Sequence, residues 1–533
     1  MRWQIRGMKA IRCDGEMTMA YYSILDPEPS ETADVSRPGF FWDLNLNQII
    51  DAVQQQSPRY DIRKMYDRFP VGKACAEYRR EVLGDIRQPD IYECLETFSK
   101  GMRGAAAAEE CREAARTGLQ KKAWHANAVY KYCAAVSGLQ AALAESGCKS
   151  EGLRRLSEYL ADYTAQADFL KSSKEAGAIR KMLGELHLVL EIEDNRIVIT
   201  EGRRDGAYGK RLHGGEQTRE LAPFLNTSGM SPLEEAVFEA FRKKRPEIFD
   251  RIEAFGDEFP AFGDETILQA EQEMQFYLAY LRFEERMREQ GFAFCVPEPG
   301  TDRQPEAEGL YDLALACVNC VRKMPVVSND FAFRQGERFF VVGGPNQGGK
   351  TTFARSMGQL VYLAGMGLDV PAKRARVPHF TALLTHFSAE ESLGSGKGKL
   401  KEELTRLAPM MKEEADHAFV IINELFTTAA HYDGCIMGKR VLTHFIEKGC
   451  MGVYVTHLKE LGEGIEGVAA LTAMLDGSRE RKRTYKISRE HMEGVGYAED
   501  IVKKYGLTYE ELSRRLSHEL SVPAGTKCRE ARQ

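Results

Sequence analysis

The stretch FFVVGGPNQGGKTTF, Phe339 to Phe353, sets the reading of the whole chain. Four apolar residues predict a short strand, a glycine-rich turn follows, and the residues after it predict a helix. From Gly344 to Thr351 the turn fits G-x-x-x-x-G-K-[ST], the pattern of a phosphate-binding P-loop. Gly344, Gly348 and Gly349 let backbone N–H groups turn inward around phosphate oxygens, where side chains would obstruct them. A helix opening near Lys350 adds its positive N-terminal end. Lys350 is expected to reach the β and γ phosphates and Thr351 to ligate Mg²⁺. Gly344, Pro345, Asn346, Gly348, Gly349, Lys350, Thr351 and Thr352 are thus the expected nucleotide-binding set, with ATP and Mg²⁺ as cofactors.

A P-loop serves many machines, so the segments after it matter. HAFVIINELF, His417 to Phe426, predicts a buried strand ending in Asn423-Glu424. In P-loop ATPases an acidic pair at this place supports the Mg²⁺ shell and orients or deprotonates the attacking water. Glu424 suits the second role; Asn423 keeps the shape of the first but carries no charge. VYVTHLKEL, Val453 to Leu461, predicts a third strand ending in Thr456-His457, which places His457 to sense a γ-phosphate. SLGSGKGKLKEEL, Ser392 to Leu404, is a glycine- and lysine-bearing loop before a helix, a second possible phosphate contact across a subunit interface.

The 533 residues, 43% of them hydrophobic, are ample for a buried core and imply roughly two to four domains. No window of about 20 residues is continuously apolar, which excludes a spanning helix. The N-terminus MRWQIRGMKAIRC lacks the apolar run of a secretory signal, so the expected compartment is cytoplasmic. A net charge of −6 excludes a globally basic nucleic-acid binder and leaves room for local basic patches. The 12 cysteines are scattered; CVNC at Cys317 and Cys320 has no second pair to complete a zinc site and reads as packed or free thiols on a helix.

Residues 1–38 read as a loose lead-in, with Met17 and Met19 as possible true starts. From Tyr60 to about Leu183 apolar residues recur at helical spacing. Leu186 to Gly202 then alternates as two strands about an Asp194-Asn195 turn. Helical pattern returns from Pro232 to about Gln290. Polar TDRQPEAEG, Thr301 to Gly309, marks a linker into an α/β region running to about Leu516.

Six segments in order now resemble the MutS family of DNA mismatch repair ATPases. GGPNQGGKTTF is similar to its TGPNMGGKST loop, GQLVYLAGMGLDVPAKRARV to its following helix and VPA segment, and SGKGKLKEEL to its signature loop and helix. INELFTTAAHYDG resembles DEIGRGTSTYDG, VTHLKEL resembles ATHYFEL, and GVGYAEDIVKKYGLTYEELSRRL resembles its closing segment. VVSNDF stands where the family has VPND near the adenine, which makes Asn329 a nucleotide-binding candidate. The resemblance implies an ABC-type α/β P-loop ATPase domain over 310–516. Before it would come a mostly helical lever and clamp over 39–300 with a small β-element near 186–220, and 517–533 would form a flexible tail. No counterpart of the mismatch-reading domain is expected. Two departures stand out: Asn423 replaces the first acidic residue, and Gly398, flanked by Lys397 and Lys399, replaces the signature serine. They imply slow hydrolysis.

The family implies a homodimeric, DNA-binding, nucleotide-controlled clamp acting on duplex or branched DNA in repair or recombination. The local candidates for phosphate contact are Arg203, Arg204, Lys210 and Arg211, with His213 and Arg219 beyond, in a glycine-rich loop. The run Gly477 to Lys486 is basic too, and reads as a hairpin or interface. Two other readings remain: a nucleotide-binding switch or scaffold with little hydrolysis, and an ATP-binding transporter subunit, which the missing LSGGQ-like signature disfavours.

Overall fold

The computed structural model describes residues 23–28, 38–67, 69, 72–185, 188–193, 196–201, 239, 241–300, 304–322, 324–387, 399–412, 416–476, 482–489 and 506–520. The chain separates into two compact units. One runs to Gly309 and takes back Leu313–Pro325 and Gly358–Leu383. The other holds Leu310–Asp312, Val326–Met357 and the chain from Leu384 onward.

The first unit is mainly helical. Its helices include α1 (Leu46–Gln54), α2 (Lys73–Ile86), α3 (Pro89–Ala114), α4 (Gly118–Ser146), α5 (Glu151–Thr164) and α6 (Ala167–Glu185). Pro89 opens α3 at a position where its missing N–H costs nothing. Thr117 caps α4: its Oγ1 accepts from Gln120 N at 3.2 Å, and the Gln120 side chain accepts from Thr117 N at 3.2 Å. This reciprocal cap is worth about 1 kcal/mol. The two long helices approach closely at Gly101, where an added Cβ would lie 2.6 Å from Cβ of Ala135.

Strands β1 (Leu188–Glu193) and β2 (Arg196–Glu201) pair antiparallel, from Leu188 opposite Glu201 to Glu193 opposite Arg196, the hairpin that the alternation predicts. Its turn, and the candidates Arg203, Arg204, Lys210 and Arg211, lie outside the described residues. Helices α7 (Pro246–Glu258) and α8 (Glu265–Glu289) follow. Met274 and every residue from Phe276 to Tyr280 on α8 are fully buried. The buried polar groups on α8 are satisfied. Tyr60 Oη donates to Glu271, Ile24 N donates to Glu273 Oε2 at 2.9 Å, and Ser57 Oγ donates to Gln275 Oε1 at 2.9 Å.

Residues 23–28 fall in the stretch expected to be a loose lead-in, yet they are packed. Tyr277 Oη donates to Ile24 O at 2.8 Å and Arg79 Nε donates to Leu25 O at 2.8 Å. Two apolar residues without periodicity give no sequence signal for this docking.

The linker expected over Thr301 to Gly309 is also partly structured. Strands β3 (Glu298–Pro299) and β4 (Glu306–Leu310) each pair with β7 (Arg374–Val377), and Glu306 lies opposite Arg376. EAEGL has poor strand propensity; a distant partner makes it a strand. Cys317 and Cys320 sit on α9 (Leu313–Arg322), where Cys320 Sγ lies 3.9 Å from Sδ of Met287. Among the described residues no helix is long and apolar enough to cross a membrane.

The second unit is built on a sheet whose strands run in the order β12-β11-β6-β10-β9-β8. These are β6 (Phe339–Gly343), β8 (Leu383–Phe387), β9 (Phe419–Asn423), β10 (Met451–Val455), β11 (Val468–Leu475) and β12 (Arg483–Ser488). β5 (Asn329–Ala332) precedes the sheet strands. β11, β6, β10 and β9 are parallel, and β12 returns antiparallel to β11. β9 and β10 are buried throughout, as strands covered on both faces are. At Gly452 an added Cβ would fall 1.9 Å from Val420 O, so only glycine fits there. Helices α10 (Lys350–Gly365), α11 (Lys399–Lys412), α12 (His431–Glu447) and α13 (Tyr509–Leu520) lie between and after these strands, with a 3₁₀ turn at Lys459–Gly462.

Candidate nucleotide site

Register brings the functional residues together. Val455 lies opposite Val342 on one side and opposite Asn423 on the other. The carboxyl ends of β6, β9 and β10 are therefore level, and the segments leaving them carry the P-loop, Glu424 and His457. Parallel α/β sheets bind ligands at this edge.

The P-loop turns on unusual backbone. Gly344 has φ 116° and Gly349 has φ 94°, which side chains rarely tolerate. A Cβ at Gly344 would also come within 2.9 Å of Ala473 N. Lys350, buried at the first residue of α10, donates from Nζ to the carbonyls of Gly344 at 2.9 Å and Pro345 at 3.1 Å. Burial pulls its ammonium below the ordinary lysine range, against the opposing pull of Glu424. Pro345 O accepts from Gly348 N at 3.2 Å and closes the loop. Asn346 and Thr352 lie in the same loop-to-helix segment.

Thr351 Oγ1 donates to Asn423 Oδ1 at 2.9 Å, so the two expected Mg²⁺-supporting residues meet. His457 Nε2 is 3.1 Å from Glu424 Oε1. An ionised carboxylate only accepts, which puts the proton of this pair on Nε2. Backbone bonds fix both strand ends: Glu424 N donates to Val455 O at 2.9 Å and Thr456 N to Val342 O at 3.1 Å. Glu424 holds φ 54° and Phe426 φ 63°, left-handed conformations that cost non-glycine residues about 1–3 kcal/mol each and gather at functional sites.

One support of the site carries no sequence signal. Glu403, buried on α11, accepts from Phe426 N at 3.1 Å and so ties the helix after the lysine-bearing loop to the turn that presents Glu424. Residues 388–398, including Lys397 and Gly398, lie outside the described residues, as does the side chain of Lys399.

Asn329 is placed by its hydrogen bonds to β12. Its Nδ2 donates to Tyr485 O at 3.1 Å and its Oδ1 accepts from Ile487 N at 2.8 Å. That clamp holds Tyr485, at φ 57° and half exposed, against Gly349, where an added Cβ would lie 3.5 Å from Tyr485 Cα. Arg483 Nη1 donates to Gln347 Oε1 at 2.9 Å. The described part of the basic run Gly477 to Lys486 is thus a strand of the β11–β12 hairpin, and it borders the P-loop.

Comparison with known proteins bears on the same residues. Residues 340–514 match the family model described as MutS domain V. A protein named Endonuclease MutS2, from Thermus thermophilus, is 30% identical over 191 residues, 35% of this chain and 25% of that protein. DNA mismatch repair protein MutS from a Thermotoga species is 30% identical over 137 residues, 26% of this chain and 17% of that protein. The protein of that name from Aquifex pyrophilus is 24% identical over 312 residues, 56% of this chain and 33% of its own length. The chain therefore spans a third or less of each of these relatives.

Proposed function

We propose, for a chain that belongs to the MutS family through residues 340–514, that the site at the ends of β6, β9 and β10 binds and slowly hydrolyses ATP and thereby controls DNA binding. The observation that carries the reading is the meeting of Thr351 with Asn423 and of Glu424 with His457 at level strand ends. The residues fit a Mg²⁺-nucleotide: a glycine cradle at Gly344 that a Cβ would fill, a buried lysine, and two neutral oxygens side by side. Mg²⁺-ATP, when bound, would supply the phosphoanhydride to be hydrolysed and a cation to offset its negative charge.

The loop amides from Gly344 to Gly349 and the Lys350 ammonium bind the phosphates. The Thr351 hydroxyl and Asn423 Oδ1 orient the cation, while Pro345, Asn346 and Thr352 shape the loop. Glu424 takes the proton of the attacking water, and His457 holds that carboxylate in place and reports on the γ-phosphate. Asn329 acts through Tyr485, whose exposed ring beside Gly349 offers a face to the base. Because Asn423 brings no charge to the cation, nucleotide binding is secure and turnover slow.

For the whole chain we propose a cytoplasmic homodimer in which residues 310–516 form the ATPase domain. Residues 39–300 form the core, with a clamp over 186–220. Arg203, Arg204, Lys210 and Arg211 contact phosphates of duplex or branched DNA in repair or recombination. The neutral Asn423 also supports a second reading, a nucleotide-binding switch that recruits protein partners with little hydrolysis. Binding to labelled homoduplex, single-mismatch and four-way-junction DNA, each with ADP and with ATP, separates the two. Nucleotide-dependent binding to any of them supports the DNA clamp, and a junction preference points to branched DNA. No binding at low or moderate salt supports the switch.

A further inference from the structure

Away from the strand ends, three metal-ligating side chains of different chemistry meet at the start of α12. His431 and Cys435 are one helical turn apart and share a face. Glu460 comes from the 3₁₀ turn Lys459–Gly462. His431 Nε2 lies 3.0 Å from Glu460 Oε1, and Cys435 Sγ lies 3.8 Å from Glu460 Oε2. One donor atom of each lies within 4.8 Å of the other two. A tetrahedral ion with ligand bonds of about 2.0–2.3 Å needs neighbouring donors roughly 3.3–3.6 Å apart, so small rotamer adjustments suffice.

The meeting rests on close packing. A Cβ at Gly434 would come within 3.3 Å of Leu458 Cδ1, and one at Gly438 within 2.9 Å of Leu461 Cδ1. Two glycines on one face of α12 thus let the chain on either side of Glu460 seat against the helix. The proposed ATPase chemistry uses none of the three side chains.

We propose that His431, Cys435 and Glu460 form a binding site for a divalent transition-metal ion of the Zn²⁺ class, with a fourth position open to water. Imidazole, thiolate and carboxylate together suit Zn²⁺, Co²⁺ or Ni²⁺, whereas Mg²⁺ and Ca²⁺ take all-oxygen sets. The site therefore does not compete for the nucleotide's cation. On binding, the Cys435 S–H bond breaks, a sulfur–metal bond forms and the proton passes to solvent, so affinity rises with pH. An ion there would tie the helix that follows the Glu424 turn to the turn that follows His457.

The test is Co²⁺ titration of the full chain, read by thiolate-to-cobalt charge-transfer absorption, followed by displacement with Zn²⁺. The expected result is one equivalent per chain, loss of the band in Cys435→Ser, and Zn²⁺ affinity at least about tenfold weaker in His431→Gln and Glu460→Gln. The melting temperature of metal-free protein should be unchanged in these variants, and the rise that Zn²⁺ gives the wild type should be missing from them. Absence of a band in the wild type, or a band and Zn²⁺ affinity undiminished in the variants, overturns the proposal. If Cys435→Ser fails to fold, the two conservative variants decide by Zn²⁺ affinity alone.

Discussion

Glu424 holds a left-handed backbone, φ 54°, while its Oε1 lies 3.1 Å from Nε2 of His457. The backbone turn aims the carboxylate off the end of β9, and the imidazole on the neighbouring strand end fixes one of its oxygens. That contact sets the orientation in which the carboxylate meets the proposed reaction. His457→Ala should therefore cost about tenfold in hydrolysis, and its conservative partner His457→Asn, which keeps a donor, should cost less. ATP affinity, measured by equilibrium titration, should change little in either.

Asn423 invites the opposite experiment. Its Oδ1 already accepts from Thr351 Oγ1 at 2.9 Å, so Asn423→Asp adds a charge without moving an atom. A charge pair about 4 Å apart near a protein surface is worth a few kcal/mol. Mg²⁺ affinity in the presence of ATP should thus rise about tenfold or more, and turnover should rise with it. Mg²⁺ titration of nucleotide binding reads the first effect and steady-state phosphate release the second.

Asn329 links β5 to β12 with two bonds from one buried amide. Asn329→Ala leaves the Ile487 N–H and the Tyr485 carbonyl without that partner, a loss of about 1–3 kcal/mol. The urea midpoint should fall accordingly. Nucleotide affinity should fall too, because the proposed base platform Tyr485 loses its clamp, and Tyr485→Ala should lower that affinity with little change in the urea midpoint.

The helical unit carries a pH signature. Burial pushes the Glu271 carboxyl up to about 7, with the Tyr60 hydroxyl bond and the nearby Arg103 charge opposing the shift. Its folded pKa thus lies above the unfolded value of about 4.3. The folded state binds the proton more tightly, so this group's contribution is fully present below about pH 4 and is lost as pH rises towards 7. The span is about 4 kcal/mol at most. Urea melts of wild type and Glu271→Gln across pH 5 to 8 should show a stability difference that falls with pH and levels off above about 7.

Much of this was legible in the sequence because it is local. The strands before Gly344, Asn423 and Thr456 are apolar runs ended by polar residues, and the P-loop spells its own turn. The hairpin from Leu188 to Glu201 follows from alternation. What was not legible depends on distant partners. EAEGL becomes a strand because β7 pairs with it, and Ile24 docks because α8 offers Glu273 and Tyr277. Glu403 reads as a helix-surface glutamate until Phe426 N appears beside it. The scattered cysteines gave no metal pattern, since His431, Cys435 and Glu460 come together only when the 3₁₀ turn packs on α12.

Single-turnover ATP hydrolysis by wild type and Glu424→Gln, with ATP binding measured on the same samples, tests the central claim most directly. The account predicts slow hydrolysis in the wild type and a loss of about 10²–10⁴-fold in the variant, the usual size of a general-base contribution, with ATP affinity retained. Equal hydrolysis rates in the two proteins would contradict it, and so would a wild type that binds no ATP.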